Sequence, residues 1–118
     1  MTTQELITTL LEIEIISQIA HWQTTSYAQH IALNDLYEGV VDIRDKYVES
    51  YQGKYGIIKG YPSSIPLTEG PDMVIYLKKK CTMIEEFYPT VKEGYLKQIL
   101  DDCFELLYTT IYKLKNLK

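Results

Sequence analysis

The sequence predicts an all-α protein, a four-helix bundle made of two helical hairpins joined by a long crossover loop. Apolar residues recur at spacings of three and four in four separate segments, and no strand is needed to explain the pattern. Glycine and proline are concentrated in one long stretch between the second and third segments. The 118 residues are enough for one domain with its own hydrophobic core, so a single domain over residues 1–118 is expected.

The first helix is predicted over about residues 4–22, where neither glycine nor proline occurs. Apolar residues cover most of its circumference, with Leu6, Leu10, Ile13 and Ala20 on one side and Ile7, Leu11, Ile15 and Trp22 on another. A helix of this kind must be covered on more than one side. The pattern therefore predicts a central position in the bundle or a position at a subunit interface.

The second helix is predicted over about residues 27–52, after Thr24, Thr25 and Ser26, which are expected to form a turn and an N-cap region. Gly39 in its interior is typical of a close crossing by another segment. The third helix is predicted over 71–88, with Pro71 in its first turn and Pro89 as its stop, and the fourth over 94–117. The crossover loop, residues 53–70, is the connection found in ferritin-like bundles.

Composition limits the function classes. The formal net charge of −4 lacks the surplus of Lys and Arg that charge-driven nucleic-acid binding needs, so no nucleic-acid partner is expected. The lysines at 78–80 and at 113–118 are interpreted as solvated helix faces. No apolar run is long enough to span a membrane, and the N-terminus does not resemble a signal peptide, so a cytoplasmic protein is expected. In that compartment Cys81 and Cys103 are expected to be reduced, buried thiols.

Several side chains are candidate metal ligands. Glu14 lies in the middle of an apolar stripe of the first helix, on the same sector as His21, and a buried carboxylate there needs a partner. The partner is either a metal ion or a side chain across the bundle, for which Arg44 is the natural candidate. The second helix carries an acidic stripe, read either as a solvated face or as a cation site, consisting of Glu38, Asp42, Asp45 and Glu49.

The spacing of these candidates requires two chains. His30 and Asp45 are fifteen residues apart, which is roughly 22 Å along one helix. They cannot bind the same ion within one chain. In a two-fold dimer with antiparallel second helices, His21 and His30 of one chain would face the acids of the other. A metal site therefore predicts a homo-oligomer, at least a dimer.

The stretch HWQTTSYAQHIALNDLYEG, with acids further along the helix, resembles the Dps-type mini-ferritins and small phage-encoded ferritin-like proteins. His21 and Trp22 match the His-Trp element of the mini-ferritins, and His30, Asp45 and Glu49 match their second His, Asp and Glu. The resemblance implies a site shared by two subunits that binds and oxidises iron, or binds another divalent metal. Glu14 is a further candidate ligand.

The sequence leaves open an alternative register of the metal site and two alternative functions. Aligning IALNDLYEG with the mini-ferritin helix in another register puts Asn34 at the second His and Gly53 at the Glu, which removes most of the site. The Glu-x-x-His pair of larger di-iron ferritins is also absent, since Gln18 and Tyr27 stand three residues before the two histidines. The alternative function is a metal-free helical assembly or interaction protein, such as a phage structural or host-interacting factor. A bundle that binds a small molecule in a Tyr-lined pocket is a third.

Overall fold

The computed structural model describes residues 1–118 and consists of helices joined by loops, with no strand. The four α-helices are α1 (Thr3–Gln23), α2 (Tyr27–Tyr55), α3 (Met73–Phe87) and α4 (Gly94–Asn116), and one 3-10 turn, Tyr88–Thr90, follows α3. The predicted all-α class and the number of helices are confirmed. No helix has both the length and the apolar character that crossing a membrane requires.

Side chains close the N-termini of the first two helices. Thr2 caps α1 in a capping box, in which its hydroxyl accepts from the Glu5 N–H and the Glu5 carboxylate accepts from the Thr2 N–H. Ser26 caps α2, as predicted, by accepting from the backbone N–H of Gln29. These contacts satisfy backbone donors that have no partner inside the helix.

Two predicted boundaries differ from those of the structure by more than one residue. α2 continues to Tyr55 instead of stopping at residue 52, because Gly53 remains helical and Gly56 is the residue with a positive φ, 93°. α3 begins at Met73 instead of residue 71, because the Asp72 side chain accepts from the N–H groups of Val74 and Ile75 and so makes residue 72 the cap. The irregular connection between α2 and α3 accordingly covers residues 56–72.

The core lies between the four helices, where α1 packs on α2 and α3 while α4 packs on α2 and α3. Nineteen buried residues form one cluster to which every helix contributes, including Leu10, Leu36, Leu77 and Leu100. Gly39 lies where α2 meets α4: a Cβ atom built on it would lie 2.7 Å from Cδ2 of Leu106. The close crossing predicted at this glycine is confirmed.

The connection between α2 and α3 is attached to both ends of α1. Near its start, the Lys59 carbonyl accepts from Nε2 of Gln4 at 2.7 Å. Near its end, the Glu69 carboxylate accepts from Nε2 of Gln23 at 2.8 Å. Gln4 is in the first turn of α1 and Gln23 is its last residue.

Candidate functional site

The short turn between α1 and α2 brings the two histidines of the chain into contact. His21 lies in the last turn of α1, and His30 lies in the first turn of α2. Only residues 24–26 separate the two helices. The two imidazole rings are stacked, with centroids 3.7 Å apart and ring planes at 21°. His21 is buried and His30 is partly buried.

Hydrogen bonds fix which nitrogen of each ring carries the proton. Nδ1 of His21 lies 2.7 Å from the carbonyl oxygen of His30, and Nδ1 of His30 lies 2.9 Å from the carbonyl oxygen of His21. A carbonyl oxygen only accepts, so each Nδ1 must be the donor. In the neutral imidazole the lone pair is then on Nε2 in both rings.

This arrangement is the one that metal-binding histidines usually have. A histidine ligand generally donates its other ring N–H to a carbonyl or carboxylate, which sets the tautomer and the ring orientation. Both histidines make such a bond to the main chain. The same bonds serve the fold, because the His21 carbonyl lies in the last turn of α1, where carbonyls lack helical donors.

Tyr37 and Asn34 complete the surroundings of the histidines on α2. The Tyr37 ring meets the His21 ring edge-on, with centroids 5.5 Å apart. The Tyr37 hydroxyl donates to Oδ1 of Asn34 at 2.8 Å. Asn34, which the alternative register puts at the second His position, is therefore engaged with Tyr37, whereas His30 contacts His21.

Asp45 and Glu49, the predicted oxygen ligands, lie further along α2 and are exposed. Both border a cavity of about 530 Å³ between α1, α2 and the following loop. The rest of its lining consists of Ile7, Leu11, Arg44, Val48 and Tyr61. The carboxylates of Asp45 and Glu49 thus stand at the edge of an apolar depression.

Arg44 binds two of the candidate acids. Its Nη1 forms an ion pair with Glu14, and its Nε lies 3.5 Å from Oδ1 of Asp45. Glu14 therefore has the cross-bundle partner that the sequence offered as the alternative to a metal ion. The guanidinium also reduces the negative potential around Asp45. It therefore weakens the attraction of this carboxylate for a cation.

Within one chain the candidate residues remain in separate places. His21 and His30 lie at the α1–α2 turn, Asp45 and Glu49 border the cavity, and Glu14 binds Arg44. No group of three or more His, Cys, Asp or Glu side chains in the chain is placed to hold a metal ion. One chain has two imidazole rings at one place and two carboxylates at another.

A buried ionic cluster between α1 and α3 was not predicted from the sequence. Oε2 of Glu12 lies 2.6 Å from Nζ of Lys80 and accepts a hydrogen bond from the Tyr76 hydroxyl. Burial, together with this hydrogen bond, raises the pKa of Tyr76 well above its usual range. Reading Lys80 as part of a solvated face was wrong, because its side chain is only 13% exposed. The available signal was the spacing of four between Tyr76 and Lys80, which puts both on one side of α3.

The two cysteines are unbridged and buried where α3 packs on α4. Burial raises the pKa of Cys81 to about 11 and that of Cys103 to about 12. Because the thiolate is the reactive and metal-binding form, neither thiol is suited to nucleophilic or ligand chemistry at neutral pH.

The sequence pattern of a family of unknown function, DUF5856, matches residues 21–114. The chain belongs to this family. The DUF5856 match begins at His21 and also includes His30, Asp45 and Glu49, whereas Glu12 and Glu14 lie before it. No curated protein and no solved structure matches the chain.

Proposed function

We propose that this protein is a ferritin-like, Dps-like metal-binding protein that holds iron or another divalent metal between two subunits. The proposal includes the ferritin-like arrangement of two helical hairpins joined by a crossover. The attachment of the 56–72 connection to both ends of α1, through Lys59 and Glu69, supports that arrangement. So does the packing of α1 on α2 and of α3 on α4.

The observation that carries the proposal is the reciprocal bonding of His21 and His30. Because each Nδ1–H is bound to a carbonyl, both Nε2 lone pairs remain for a cation. The short turn between the helices and the two hydrogen bonds fix the orientation of both stacked rings. Imidazole is a ligand for iron, zinc, copper and nickel.

The partner subunit completes the ligand set in this proposal. In a two-fold dimer with antiparallel α2 helices, the histidine pair faces the partner subunit's Asp45 and Glu49. Two nitrogens and two carboxylates suit Fe(II) or Zn(II) and balance the charge of a divalent ion. Fe(II) as a substrate also needs a coordination position that protein ligands leave free for an oxidant. Arg44 would have to release Asp45 as the metal binds, since the guanidinium and the ion compete for one carboxylate.

A complementation experiment tests the shared site. One variant lacks the imidazoles (His21→Ala with His30→Ala), and the other lacks the carboxylates (Asp45→Asn with Glu49→Gln). Each variant alone should lose binding of Co(II) or Zn(II) in calorimetry. A mixed dimer keeps one intact site, with imidazoles from one variant and carboxylates from the other. Equal mixing with free exchange makes about half of the dimers mixed, so about a quarter of the wild-type binding capacity should return, because each mixed dimer has one intact site of two.

A matched control separates loss of a ligand from loss of an acidic charge. Glu105 is an exposed carboxylate on α4, distant in sequence from every proposed ligand. Glu105→Gln should bind metal like wild type, whereas Glu49→Gln should not. Aerobic Fe(II) titration of the same proteins then measures oxidation. Absence of bound metal in wild type, or binding that survives in both ligand variants, would falsify the proposal.

A metal-free assembly or interaction protein is the second candidate, and Arg44 favours it. Its guanidinium already pairs with Glu14 and Asp45, so these two carboxylates have a cationic partner without a metal ion. The phage structural or host-interacting role belongs to this candidate. It predicts a dimer whose dissociation constant is the same with a chelator and with added Fe(II) or Zn(II).

A further inference from the structure

Trp22 is a large apolar side chain at the end of α1 that the chain leaves uncovered. It is the only tryptophan in the sequence, and it is 67% exposed. Tryptophan is prominent among the residues that carry the binding energy of protein interfaces. The exposed indole of Trp22 is therefore a candidate anchor residue for a protein–protein contact.

The same side of α1 leads from Trp22 to the cavity beside Asp45 and Glu49. Successive helical residues turn by about 100°, which places Ile7, Leu11 and Trp22 within a sector of roughly 60°. Ile7 and Leu11 line the cavity of about 530 Å³, together with Val48 and Tyr61. One face of α1 thus carries a projecting indole near its C-terminus and an apolar depression near its N-terminus.

A two-fold axis relates these two features to each other. The midpoint between Trp22 and the cavity residues Ile7 and Leu11 lies near Ile15 of α1. A two-fold axis at this level lays the indole of one chain over the cavity of the other, in both directions at once. Each copy then offers one projection and receives one.

The proposed metal site requires an axis at nearly the same level. The midpoint of α2 between His30 and the Asp45–Glu49 pair lies near Glu38. His21 on α1 contacts His30 on α2, and Glu14 on α1 contacts Arg44 on α2. The level of Glu38 on α2 therefore corresponds to a level between Glu14 and His21 on α1. Ile15 lies in that interval. One two-fold axis at this level is therefore compatible with both pairings, one apolar and one polar.

We infer that Trp22 of each chain inserts into the cavity formed by Ile7, Leu11, Val48 and Tyr61 of a second copy. The cavity rim offers what a buried indole needs, since its N–H requires an acceptor and the exposed carboxylates of Asp45 and Glu49 border the opening. The Arg44 guanidinium, which also lines the cavity, is a partner for the face of an aromatic ring.

The two indoles supply part of the apolar area that a stable dimer buries. A buried aromatic side chain covers about 150–250 Å², so two tryptophans contribute roughly 300–500 Å². Specific interfaces bury about 1,200–2,000 Å² in total. The half-buried residues Leu11 and Ile15 on the same face of α1 supply further apolar area. This inference rests on the dimer of the proposed function but not on its metal.

Because Trp22 is the sole tryptophan, its fluorescence reports directly on the contact. With a chelator present, the emission of the full-length protein should move to shorter wavelength as concentration rises, in step with the dimer fraction from sedimentation. Trp22→Ala should raise the dimer dissociation constant at least about tenfold, as expected for an interface tryptophan. Val48→Phe fills the cavity and retains Trp22, so the dimer should weaken and the indole should stay exposed in emission. Tyr112→Ala removes an aromatic that is 60% exposed on α4 and should change nothing.

The outcomes separate this inference from the proposed function. A dimer that depends on Trp22 and Val48 in chelator supports the insertion even if no metal binds. A protein that is monomeric at all concentrations overturns it, as does a dimer that both substitutions leave unchanged. Binding of the apolar dye anilinonaphthalene sulfonate to a monomer, lost in Val48→Phe, would assign the cavity to a small molecule and also overturn it. Helical circular dichroism of each variant confirms that it is folded.

Discussion

Each ring of the stacked His21–His30 pair donates from Nδ1 to the main-chain carbonyl of the other histidine. One pair of bonds therefore does two things. It closes the α1–α2 turn by joining the last turn of one helix to the first turn of the next, and in the neutral form of each ring it puts the lone pair on Nε2. A purely structural pair would need only the first property, so stability and metal binding must be measured separately.

The structural part of this pairing predicts a graded effect of substitutions at His30. His30→Ala removes the donor to the His21 carbonyl and the stacked ring, and should lower the free energy of unfolding by about 1–3 kcal/mol. His30→Asn retains a side-chain N–H near the position of Nδ1 and should cost less. Urea denaturation without metal measures both. Equal stability of wild type and His30→Ala would show that the pair does not stabilise the turn.

The buried cluster of Glu12, Tyr76 and Lys80 predicts strong coupling between two charges. Lys80→Met keeps most of the side-chain volume but leaves the Glu12 carboxylate buried without its cation, which should cost about 3–5 kcal/mol. Adding Glu12→Gln removes the uncompensated charge, so the double variant should be more stable than Lys80→Met alone. Urea denaturation of the four proteins gives the coupling energy. Additive costs would mean that the two side chains are solvated independently.

The cluster also shows what could be predicted from the sequence and what could not. Periodicity identified all four helices, because each apolar stripe is a local property of its own segment. It could not show that Glu12 faces Lys80, because the two residues are 68 positions apart and which helices meet depends on packing of the whole bundle. For the same reason the sequence offered both a metal ion and Arg44 as the partner of Glu14, and only the structure places Arg44 there.

The predicted helix boundaries differ from the observed ones where a capping residue and a helix-breaking residue lie close together in the sequence. The sequence predicts that α2 ends at residue 52, but a glycine costs only about 1 kcal/mol inside a helix, and Gly53, Lys54 and Tyr55 remain helical before Gly56. The histidine contact was likewise hidden from the sequence. His21 and His30 are nine residues apart on the two sides of the turn, and this spacing gives neither ring stacking nor the direction of the Nδ1 atoms.

The buried thiols and Tyr47 predict a loss of stability at alkaline pH. Burial raises the pKa of Cys81 from 9.0 to about 11, that of Cys103 from 9.0 to about 12, and that of Tyr47 from 10.0 to about 12. Each pKa is higher in the folded state, so the folded protein retains protons that the unfolded chain releases. The stabilisation is complete below about pH 9 and decreases as pH rises from 9 to 12.

Urea midpoints at pH 8 and at about pH 10.5 measure this decrease. Cys81→Ala removes one titrating group with little change in volume, so its stability should fall less steeply over the same interval. Tyr112→Phe removes an exposed hydroxyl and serves as the control, with a pH dependence like that of wild type. A midpoint independent of pH between these values would contradict the raised pKa values.

At the crossing of α2 and α4, the effect of Gly39→Ala on stability should depend on the neighbouring Leu106 side chain. Alanine favours a helix over glycine by about 1 kcal/mol, but its Cβ would lie 2.7 Å from Cδ2 and 3.2 Å from Cδ1 of Leu106. Overpacking of this kind costs about 1–3 kcal/mol, so Gly39→Ala should destabilise the protein slightly. In a Leu106→Ala background the clash is absent, and the same substitution should become stabilising. Thermal unfolding of the four proteins measures both effects, and a Gly39→Ala effect of equal sign and size in both backgrounds would show that the helices can separate at this point.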